Sequence, residues 1–398
     1  MLKDEVLLEG TLIPNRVVMQ PMEGCDCNED GSPSELTVAK YHAYARSGAG
    51  LIWFEANAVC REGRTNPRQM QLTRENLPAF QKLVAEVKDM CFQDFGYTPV
   101  CILQLTHSGR QSILPMIAYR NKVYEATRPV TDENIVSDEY LDTLPALYVN
   151  SALLAKEAGF DGVDIKSCHG YLMQEMLSAF DRPGRYGGSF ENRTRLYLTC
   201  VREVKKAVPQ GFHVVTRLGA SDMVEKPCGF GTTEQNEIDL TETKRLISLL
   251  YNEGIRLINV TIGNPYFNPH VNRPFRAGAY TPPEKPEVGL QRFWDTTKQL
   301  KTWFPDILFI GSGLSFYRDN LMEKSESMLE EGVCDFIGYG RVSLAYPMLY
   351  RDYLNGNFDP KKCCVSCSRC TVLMRKKCVS GCAMFNPYYK NLFNEKCK

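Results

Sequence analysis

The sequence has no excess of charge of either sign, because 47 lysine and arginine residues balance 47 aspartate and glutamate residues. A zero net charge argues against a nucleic-acid or membrane-surface partner, since both attract basic proteins. The N-terminus, MLKDEVLLEGTL, lacks the apolar run of a signal peptide, and no stretch approaches the roughly 18 apolar residues of a membrane span. We therefore expect a cytoplasmic protein without a membrane partner.

A dinucleotide-binding glycine fingerprint is also missing. No G-x-G-x-x-G follows an apolar run, and the nearest matches, GSGLSF and GYGRVS, lack the third glycine. This absence argues against an open doubly wound sheet, whose first turn usually carries that fingerprint.

Short apolar runs alternate with helix-length amphipathic segments along most of the chain. The runs occupy residues 16–22, 49–57, 99–107, 162–167, 213–219, 257–263, 307–313 and 336–341. Such alternation is typical of parallel strands covered on both faces by helices. Eight units predict an α/β protein with one (β/α)8 TIM barrel. The long connections 108–144, 220–238 and 264–286 are expected to form lids or substrate walls.

The most informative segment is 161–193, in which the apolar strand GVDI leads into a polar cluster. Lys166, His169 and Tyr171 follow this strand directly, and a helix with a capping-type start is predicted to open at Ser189. Three side chains that donate protons or hydrogen bonds thus lie at the carboxyl end of one strand. In a β/α barrel, that end carries the chemistry.

The other strand ends also collect polar groups and glycine turns. They carry Pro21, Met22, Glu23, Glu55, Ala56, Asn57, Gln104, His107, Arg217, Thr261, Ser312, Gly313, Gly340 and Arg341. Glycine turns after strands seven and eight are the usual place for a phosphate held by backbone N–H groups. Arg217 and Arg341 are candidates to bond an anion or a ring carbonyl. Each glycine alone is equally compatible with a plain tight turn.

The 16 cysteines divide into two sets. Those before Lys362 lie mostly in apolar contexts, which predicts buried free thiols. The others are concentrated in a tail, which predicts a barrel over 1–358 and a cysteine-rich, metal-binding segment over 359–398. The tail contains two C-x-x-C steps followed by a longer gap, at Cys364, Cys367, Cys370 and Cys382, with Cys363 and Cys378 as spare candidates. Four thiolates suit either zinc or a [4Fe–4S] cluster.

Several segments together resemble the old yellow enzyme family of flavin-dependent reductases. They are NRVVMQPMEG, AGLIWFEANAV, LQLTHSGRQ, DGVDIKSCHGYL, RPGRYGGSFENR and FIGYGR, in the order of that family. The cysteine tail is similar to the branch that contains 2,4-dienoyl-CoA reductase and steroid ene-reductases. The resemblance implies an FMN-binding barrel, favours a [4Fe–4S] cluster over zinc, and implies NAD(P)H as electron donor.

The resemblance also implies a role for each matching residue. Residues matching flavin contacts are Pro21, Met22, Glu23, Gly24, Ala56, Gln104 and Arg217, and His107 lies beside them. Residues matching the phosphate site are Ser312, Gly313, Gly340 and Arg341. Tyr171 matches the proton donor, with His169 and Lys166 at the substrate carbonyl. The alternatives are a structural Tyr171 and a Lys166 paired with Asp164 or with another carboxylate in the barrel.

Three positions depart from the family pattern. Lys166 replaces the first residue of the His/His or His/Asn pair that holds the substrate carbonyl. Glu23 replaces a threonine or cysteine facing the flavin, so we expect its carboxyl to be turned away or protonated. The second gap between tail cysteines has two residues where the family more often has three.

The implied activity is reduction of the activated C=C bond of an α,β-unsaturated carbonyl compound, with Tyr171 giving the proton. Because the chain ends soon after Cys382, we expect no further FAD/NAD(P)H module. NAD(P)H then reduces FMN directly, or a separate flavoprotein or ferredoxin supplies electrons through the cluster. The alternative functions are an electron-transfer component and a flavin-dependent amine demethylase or oxidase.

Overall fold

The apolar runs form the strands of a closed parallel barrel in a computed structural model, which describes residues 1–397. The strands are β1 (Val6–Leu8), β2 (Thr11–Ile13), β3 (Val17–Met19), β4 (Leu51–Ala58), β5 (Val100–Thr106), β6 (Gly162–Ile165), β7 (His213–Ser221), β8 (Leu257–Ile262), β9 (Leu308–Gly311) and β10 (Phe336–Tyr339). The barrel order is β10-β3-β4-β5-β6-β7-β8-β9. Each predicted run supplies one barrel strand, so the predicted TIM barrel is confirmed.

Helices connect the strands and cover the outside of the barrel. They are α1 (Glu35–Ala45), α2 (Leu77–Phe95), α3 (Lys122–Glu125), α4 (Asp138–Glu157), α5 (Leu172–Leu177), α6 (Phe190–Ala207), α7 (Thr241–Asn252), α8 (Pro269–Asn272), α9 (Pro286–Trp303), α10 (Leu321–Glu330), α11 (Arg341–Ala345), α12 (Leu349–Leu354), α13 (Arg369–Arg375) and α14 (Pro387–Lys396). Ser189 caps α6 as predicted, since its side chain accepts a hydrogen bond from the Asn192 N–H. Within residues 1–397, no helix is both long and apolar enough to span a membrane.

A hairpin that the sequence did not reveal closes the amino-terminal end of the barrel. Strands β1 and β2 pair antiparallel, and Val6, Leu8 and Ile13 pack against inward-facing side chains such as Trp53 and Phe336. Strands of three residues are too short to show a periodic pattern. The hairpin leaves the opposite, carboxyl-terminal end as the place for a site.

The tail packs on the carboxyl-terminal end of the barrel. Its small core, built from Leu373, Val379, Ala383 and Tyr389, contacts Leu36 of α1. The Ser380 N–H donates to the Gly24 carbonyl oxygen (2.6 Å), and the Arg276 N–H donates to the Ser366 carbonyl oxygen (3.1 Å). The tail therefore bridges the turn after β3 and the long connection after β8.

Candidate active site

A buried carboxyl accepts hydrogen bonds from neighbouring strands inside the barrel. Asp164 of β6 accepts hydrogen bonds from Gln104 Nε2 (2.7 Å), Trp53 Nε1 (2.9 Å) and the Arg217 backbone N–H (2.7 Å). Burial raises the pKa of Asp164 to about 6, against the opposing effect of these donors. Asp164 thereby fixes the predicted flavin-contact residues Gln104 and Arg217 on neighbouring strands.

Lys166 lies on the ring of Tyr171 and is not paired with Asp164. Its Nζ is 3.8 Å from the ring centroid, and both side chains are buried. Burial lowers the pKa of Lys166, while the nearby Cys168 and Glu23 oppose this effect. An ammonium at an aromatic face is held by the ring quadrupole. Two of the three predicted catalytic groups are therefore in direct contact.

His169 presents an unpartnered ring nitrogen at the same strand end. Its backbone is left-handed (φ 67°), which turns the chain sharply between β6 and α5. The Nε2 atom is buried and has no hydrogen-bond partner among residues 1–397. Burial, followed by the charges of Arg217 and Lys166, lowers the pKa of His169 well below its usual value. The imidazole is therefore neutral at physiological pH and available to a ligand.

The turn from Pro21 to Gly24 rests on a buried cluster of charges. Glu55 Oε2 accepts a hydrogen bond from the Gly24 N–H (2.7 Å), and Lys40 Nζ lies 2.5 Å from Glu55 Oε1 and 3.2 Å from Asp26 Oδ2. A side chain at position 24 would meet Asp26 Oδ2 at 2.2 Å, so only glycine fits. Burial raises the pKa of Glu55 to about 7. This cluster fixes the backbone predicted to contact the flavin.

Glu23 points towards Tyr171. Its Oε1 accepts a hydrogen bond from Thr65 Oγ1 (3.1 Å), and its Oε2 accepts one from the Tyr171 hydroxyl (3.5 Å). Tyr266, from the connection after β8, lies 3.2 Å from the same hydroxyl. Burial raises the pKa of Tyr171 well above its usual value, and the charge of Glu23 adds to this effect. Tyr171 is therefore protonated near neutral pH.

The predicted phosphate residues lie together beside the tail. Ser312 accepts a hydrogen bond from Gln20 Nε2 (2.7 Å), and Gly313 adopts a left-handed φ of 97°. Gly340 precedes the first residue of α11, Arg341. Arg341 Nη2 donates to the Pro274 carbonyl oxygen (2.6 Å), whereas its buried Nη1 has no partner among residues 1–397.

The orphaned nitrogens at this end of the barrel fit a flavin nucleotide. Arg217 Nε, like Arg341 Nη1 and His169 Nε2, is buried without a partner in the described part of the chain. Such groups are costly unless a bound group satisfies them. The carbonyl edge and phosphate of a flavin mononucleotide carry acceptors of the kind that two arginines require.

Four tail cysteines surround one small cavity. Its wall includes Cys364, Cys367, Cys370 and Cys382 together with Arg341, and it does not include Cys363 or Cys378. Among residues 1–397, no three or more His, Cys, Asp or Glu side chains are drawn together as a metal site. The thiols share a space without meeting at one point. Four thiols on one wall form the donor set of zinc or a [4Fe–4S] cluster.

The remaining predicted residues have defined positions. Both ring nitrogens of His107 are engaged, Nε2 with the Tyr140 hydroxyl (2.9 Å) and Nδ1 with the Gly109 N–H (3.1 Å). Burial lowers the pKa of His107 to about 4, so it is a neutral support. Ala56 is buried and its carbonyl oxygen accepts from Gln69 Nε2 (3.2 Å). Met22 lies beside Gly340 and so links the two predicted parts of the flavin site.

Sequence reasoning missed Tyr266 and Arg273. Tyr266 belongs to the aromatic-rich connection 264–286, whose composition is the signal that marked it as a candidate wall. Arg273, from the same connection, is half-buried near Arg341 and Cys370, and burial lowers its pKa to about 10. No local pattern distinguishes either residue from its neighbours.

A model of the NADH:flavin oxidoreductase / NADH oxidase family matches residues 7–356. The chain belongs to this family. The match confirms the predicted family and, at the family level, the predicted flavin-dependent oxidoreductase class. The matched region ends before the tail cysteines, so it does not bear on the tail.

Relatives of this family member extend beyond its length. The chain is 28% identical to the NADH oxidase of Thermoanaerobacter brockii over 364 residues, which cover 90% of the chain and 51% of the relative. It is 26% identical to the cinnamate reductase of Clostridium sporogenes over 405 residues, covering 97% of the chain and 57% of the relative. The chain thus spans about half the length of these curated relatives.

A solved structure shares the fold over nearly the whole chain. The 2-naphthoyl-CoA reductase complex superposes with a TM-score of 0.79 at 19% identity, and the match covers 98% of this chain and 57% of that one. At this identity the likeness concerns the fold. It extends through the tail, which supports treating barrel and tail as one architecture.

Proposed function

We propose that this family member is an FMN-dependent ene-reductase that reduces the activated C=C bond of α,β-unsaturated carbonyl compounds. The observation that carries the proposal is the grouping of Tyr171, Lys166 and His169 at one strand end, beside Arg217 and Gln104. A buried phenol, a cation on its ring and an unpartnered imidazole are the groups needed to bind a carbonyl and deliver a proton.

The residues proposed to hold FMN are those whose buried groups lack partners or whose backbone is fixed. The flavin ring would contact the Pro21–Gly24 turn, Ala56, Gln104 and Arg217, and the phosphate would meet Ser312, Gly313, Gly340 and Arg341. Bound FMN supplies electrons taken from NAD(P)H as a hydride for the β-carbon of the substrate. Arg217 supplies positive charge that favours an anionic reduced ring.

Tyr171 is proposed to protonate the α-carbon of the substrate. Burial keeps its proton on the phenol until a stronger base appears, and the substrate carbanion is such a base. The Lys166 ammonium on the ring then stabilises the phenolate left behind. His169 Nε2, which has no partner in the described chain, is proposed to bond the substrate carbonyl oxygen.

For the tail we propose a [4Fe–4S] cluster held by Cys364, Cys367, Cys370 and Cys382. The shared cavity, from which Cys363 and Cys378 are absent, supports this ligand set. Arg341 belongs both to that wall and to the proposed phosphate site. Arg341 would therefore border both groups, and the cluster would supply a route for electrons from a separate flavoprotein or ferredoxin.

Anaerobic half-reactions test the proposed activity. FMN-loaded protein would be reduced with NADH, NADPH or dithionite and then mixed with 2-cyclohexen-1-one, cinnamate, a dienoyl thioester or a methylamine. We expect the flavin to be reoxidised by unsaturated carbonyl compounds, with the saturated product formed in equal amount. The saturated ketone, cyclohexanone, is the matched control and should leave the flavin reduced.

Other outcomes would replace the proposal. Failure to bind FMN after reconstitution would overturn it entirely. Oxidation of amines without reduction of any unsaturated carbonyl would assign the protein to amine oxidation. Transfer of electrons to a dye through the cluster, with no substrate turnover, would assign it to electron transfer.

A further inference from the structure

Among residues 1–397, Glu23 is the one carboxyl that accepts a hydrogen bond from the proposed proton donor. Its Oε2 accepts the hydrogen bond of the Tyr171 hydroxyl at 3.5 Å, and Tyr266 meets that hydroxyl from the other side at 3.2 Å. The three side chains come from three separate segments, which follow β3, β6 and β8. The fold brings these three side chains together, and the contact between Glu23 and Tyr171 suggests a role in the proposed reaction.

The proposed reaction creates a demand for protons that Tyr171 alone cannot meet. Tyr171 is only 3% exposed, so water has little access to its hydroxyl. After each proton donation the phenolate must be reprotonated before the next cycle. Glu23 is partly exposed while its carboxyl reaches Tyr171, so it connects the buried phenol with solvent.

Tyr266 is unsuited to carry that proton. Burial raises the pKa of its phenol, and the charge of Glu23 raises it further. A phenol of this kind holds its proton firmly near neutral pH and acts as a hydrogen-bond donor. A carboxyl group is a common general acid and base, so it can pass a proton between water and a neighbouring base.

The surroundings of Glu23 leave one oxygen free for such a role. Thr65 Oγ1 and Asn66 Nδ2 bind Oε1 at 3.1 and 3.5 Å, and Cys25 Sγ lies 3.9 Å from the same oxygen. Oε2 is left to Tyr171. Glu23 is also close enough to Lys166 for the two charges to interact. Hydrogen bonds to Oε1 therefore fix the position of the carboxyl group, and Oε2 faces the Tyr171 hydroxyl.

We propose that Glu23 relays protons from solvent to Tyr171. In each cycle the O–H bond of a protonated Glu23 breaks as the Tyr171 phenolate regains its proton, and water then reprotonates Glu23. The Tyr171 proton itself forms the new C–H bond at the α-carbon, so one proton from solvent is consumed per substrate. Glu23 acts through Tyr171 and does not touch the substrate, and the role rests on the proposed ene-reductase function.

Chemical rescue provides the decisive test. FMN-loaded wild type, Glu23→Ala and Glu23→Gln would be assayed over many turnovers of 2-cyclohexen-1-one with excess dithionite, with and without formate. We expect both variants to turn over about 10-fold or more slowly, which is less than the roughly 10²–10⁴-fold effect of losing a general acid outright. Formate should restore Glu23→Ala, whose shortened side chain leaves room for it. Formate should not restore Glu23→Gln, which fills the same space.

A measurement without flavin separates the relay from a packing effect. Tyrosinate absorbance of the apoprotein would be titrated in wild type, Glu23→Gln and Tyr171→Phe, the last of which identifies the Tyr171 signal. Since the charge of Glu23 raises the pKa of Tyr171, that signal should move to lower pH in Glu23→Gln. Absence of both this shift and formate rescue would overturn the relay.

Failure of the proposed function can be distinguished from failure of the relay. If FMN-loaded wild type reduces no unsaturated carbonyl compound, the ene-reductase proposal falls and the relay falls with it. If wild type is active while Glu23→Ala and Glu23→Gln sustain the wild-type rate over many turnovers, only the relay is wrong.

Discussion

The barrel and the tail use cysteine in opposite ways. The cysteines before Lys362 are all buried, and burial raises the pKa of thiols such as Cys91 and Cys334 to about 12. These thiols behave as small apolar side chains. The tail instead places Cys367 and Cys370, which are partly exposed, on a shared cavity. The spacing of the cysteines in the sequence and the residues around them, rather than how many there are, distinguish buried packing cysteines from candidate metal ligands.

The two regions also differ in what stabilises them. The barrel has an extensive apolar core that runs between strands and helices. The tail has a core of four buried apolar side chains and depends on contacts with the barrel. So small a core supplies little stability of its own, and a bound metal is the usual supplement. Removing a bound metal should therefore destabilise the tail more than the barrel.

The largest expected effect is loss of the proposed cluster from a variant of one of its proposed ligands. Anaerobically prepared protein should contain about four irons per chain if one cubane is bound. Cys367→Ser should remove most of this iron and make the tail sensitive to proteolysis while the barrel remains intact. Cys378→Ser and Cys397→Ser are matched controls and should keep the iron. One zinc per chain with no iron would refute a redox role and leave a structural site.

The next effect concerns the barrel alone. Tyr171→Phe should keep FMN, cluster and flavin reduction but slow reoxidation by 2-cyclohexen-1-one by roughly 10²–10⁴-fold, because a general acid is lost. Stopped-flow absorbance of the flavin measures this step. An unchanged rate would transfer the proton-donor role to His169 or Lys166.

A buried carboxyl should make the free energy of unfolding of the barrel depend on pH, and the tail has no such buried carboxyl among its described residues. Burial raises the pKa of Asp222 from 3.8 to about 7, whereas the tail acids Asp359 and Glu395 are not buried. The folded state then binds more protons than the unfolded state between these values, so this stability is present at low pH and is lost as pH rises towards 7. Asp222→Asn should remove a slope of about 1.4 kcal/mol per pH unit.

Chemical denaturation from pH 4.5 to 7 measures that slope. The unfolding free energies of wild type and Asp222→Asn should converge or cross as pH changes. Parallel curves would show that Asp222 has an ordinary pKa in the folded barrel.

The smallest effect tests the contact between the two regions. Ser380→Pro removes the N–H that donates to Gly24, a bond worth about 0.5–1.5 kcal/mol. We expect a modest loosening of the tail and a weaker affinity for FMN, measured by hydrogen exchange and flavin fluorescence. Ser380→Ala removes only the hydroxyl bond to the Cys370 carbonyl and should spare FMN affinity. Equal effects of both variants would assign the linkage to the hydroxyl.

The parts of the molecule that the sequence predicted are those encoded locally. Barrel strands appear as apolar runs because each strand is buried on both faces. The β1–β2 hairpin escaped prediction because its strands are too short. The predicted residues at the end of β6 lie together, since five positions separate Lys166 from Tyr171 along one strand end.

Contacts between distant segments could not be predicted in the same way. Tyr266 lies 95 positions from Tyr171, and its neighbours in the sequence do not mark it as a partner. The charge cluster beneath Gly24 joins Asp26, Lys40 and Glu55, which come from three segments: a turn, a helix and a strand. Such groupings depend on how the barrel closes and are visible only in three dimensions.

The hairpin at the base of the barrel has a practical consequence for attaching the protein to a surface. The α-amino group of Met1 lies 2.9 Å from Glu326 Oε2, and the carbonyl oxygen of Leu2 accepts a hydrogen bond from the Arg16 N–H just before β3, at the sealed end. Immobilisation on an electrode through this end would direct the cysteine cavity and the candidate active site towards the solution. Immobilisation through the tail would instead direct the proposed cluster towards the electrode. The point of attachment would therefore decide whether the electrode can reduce the proposed cluster directly.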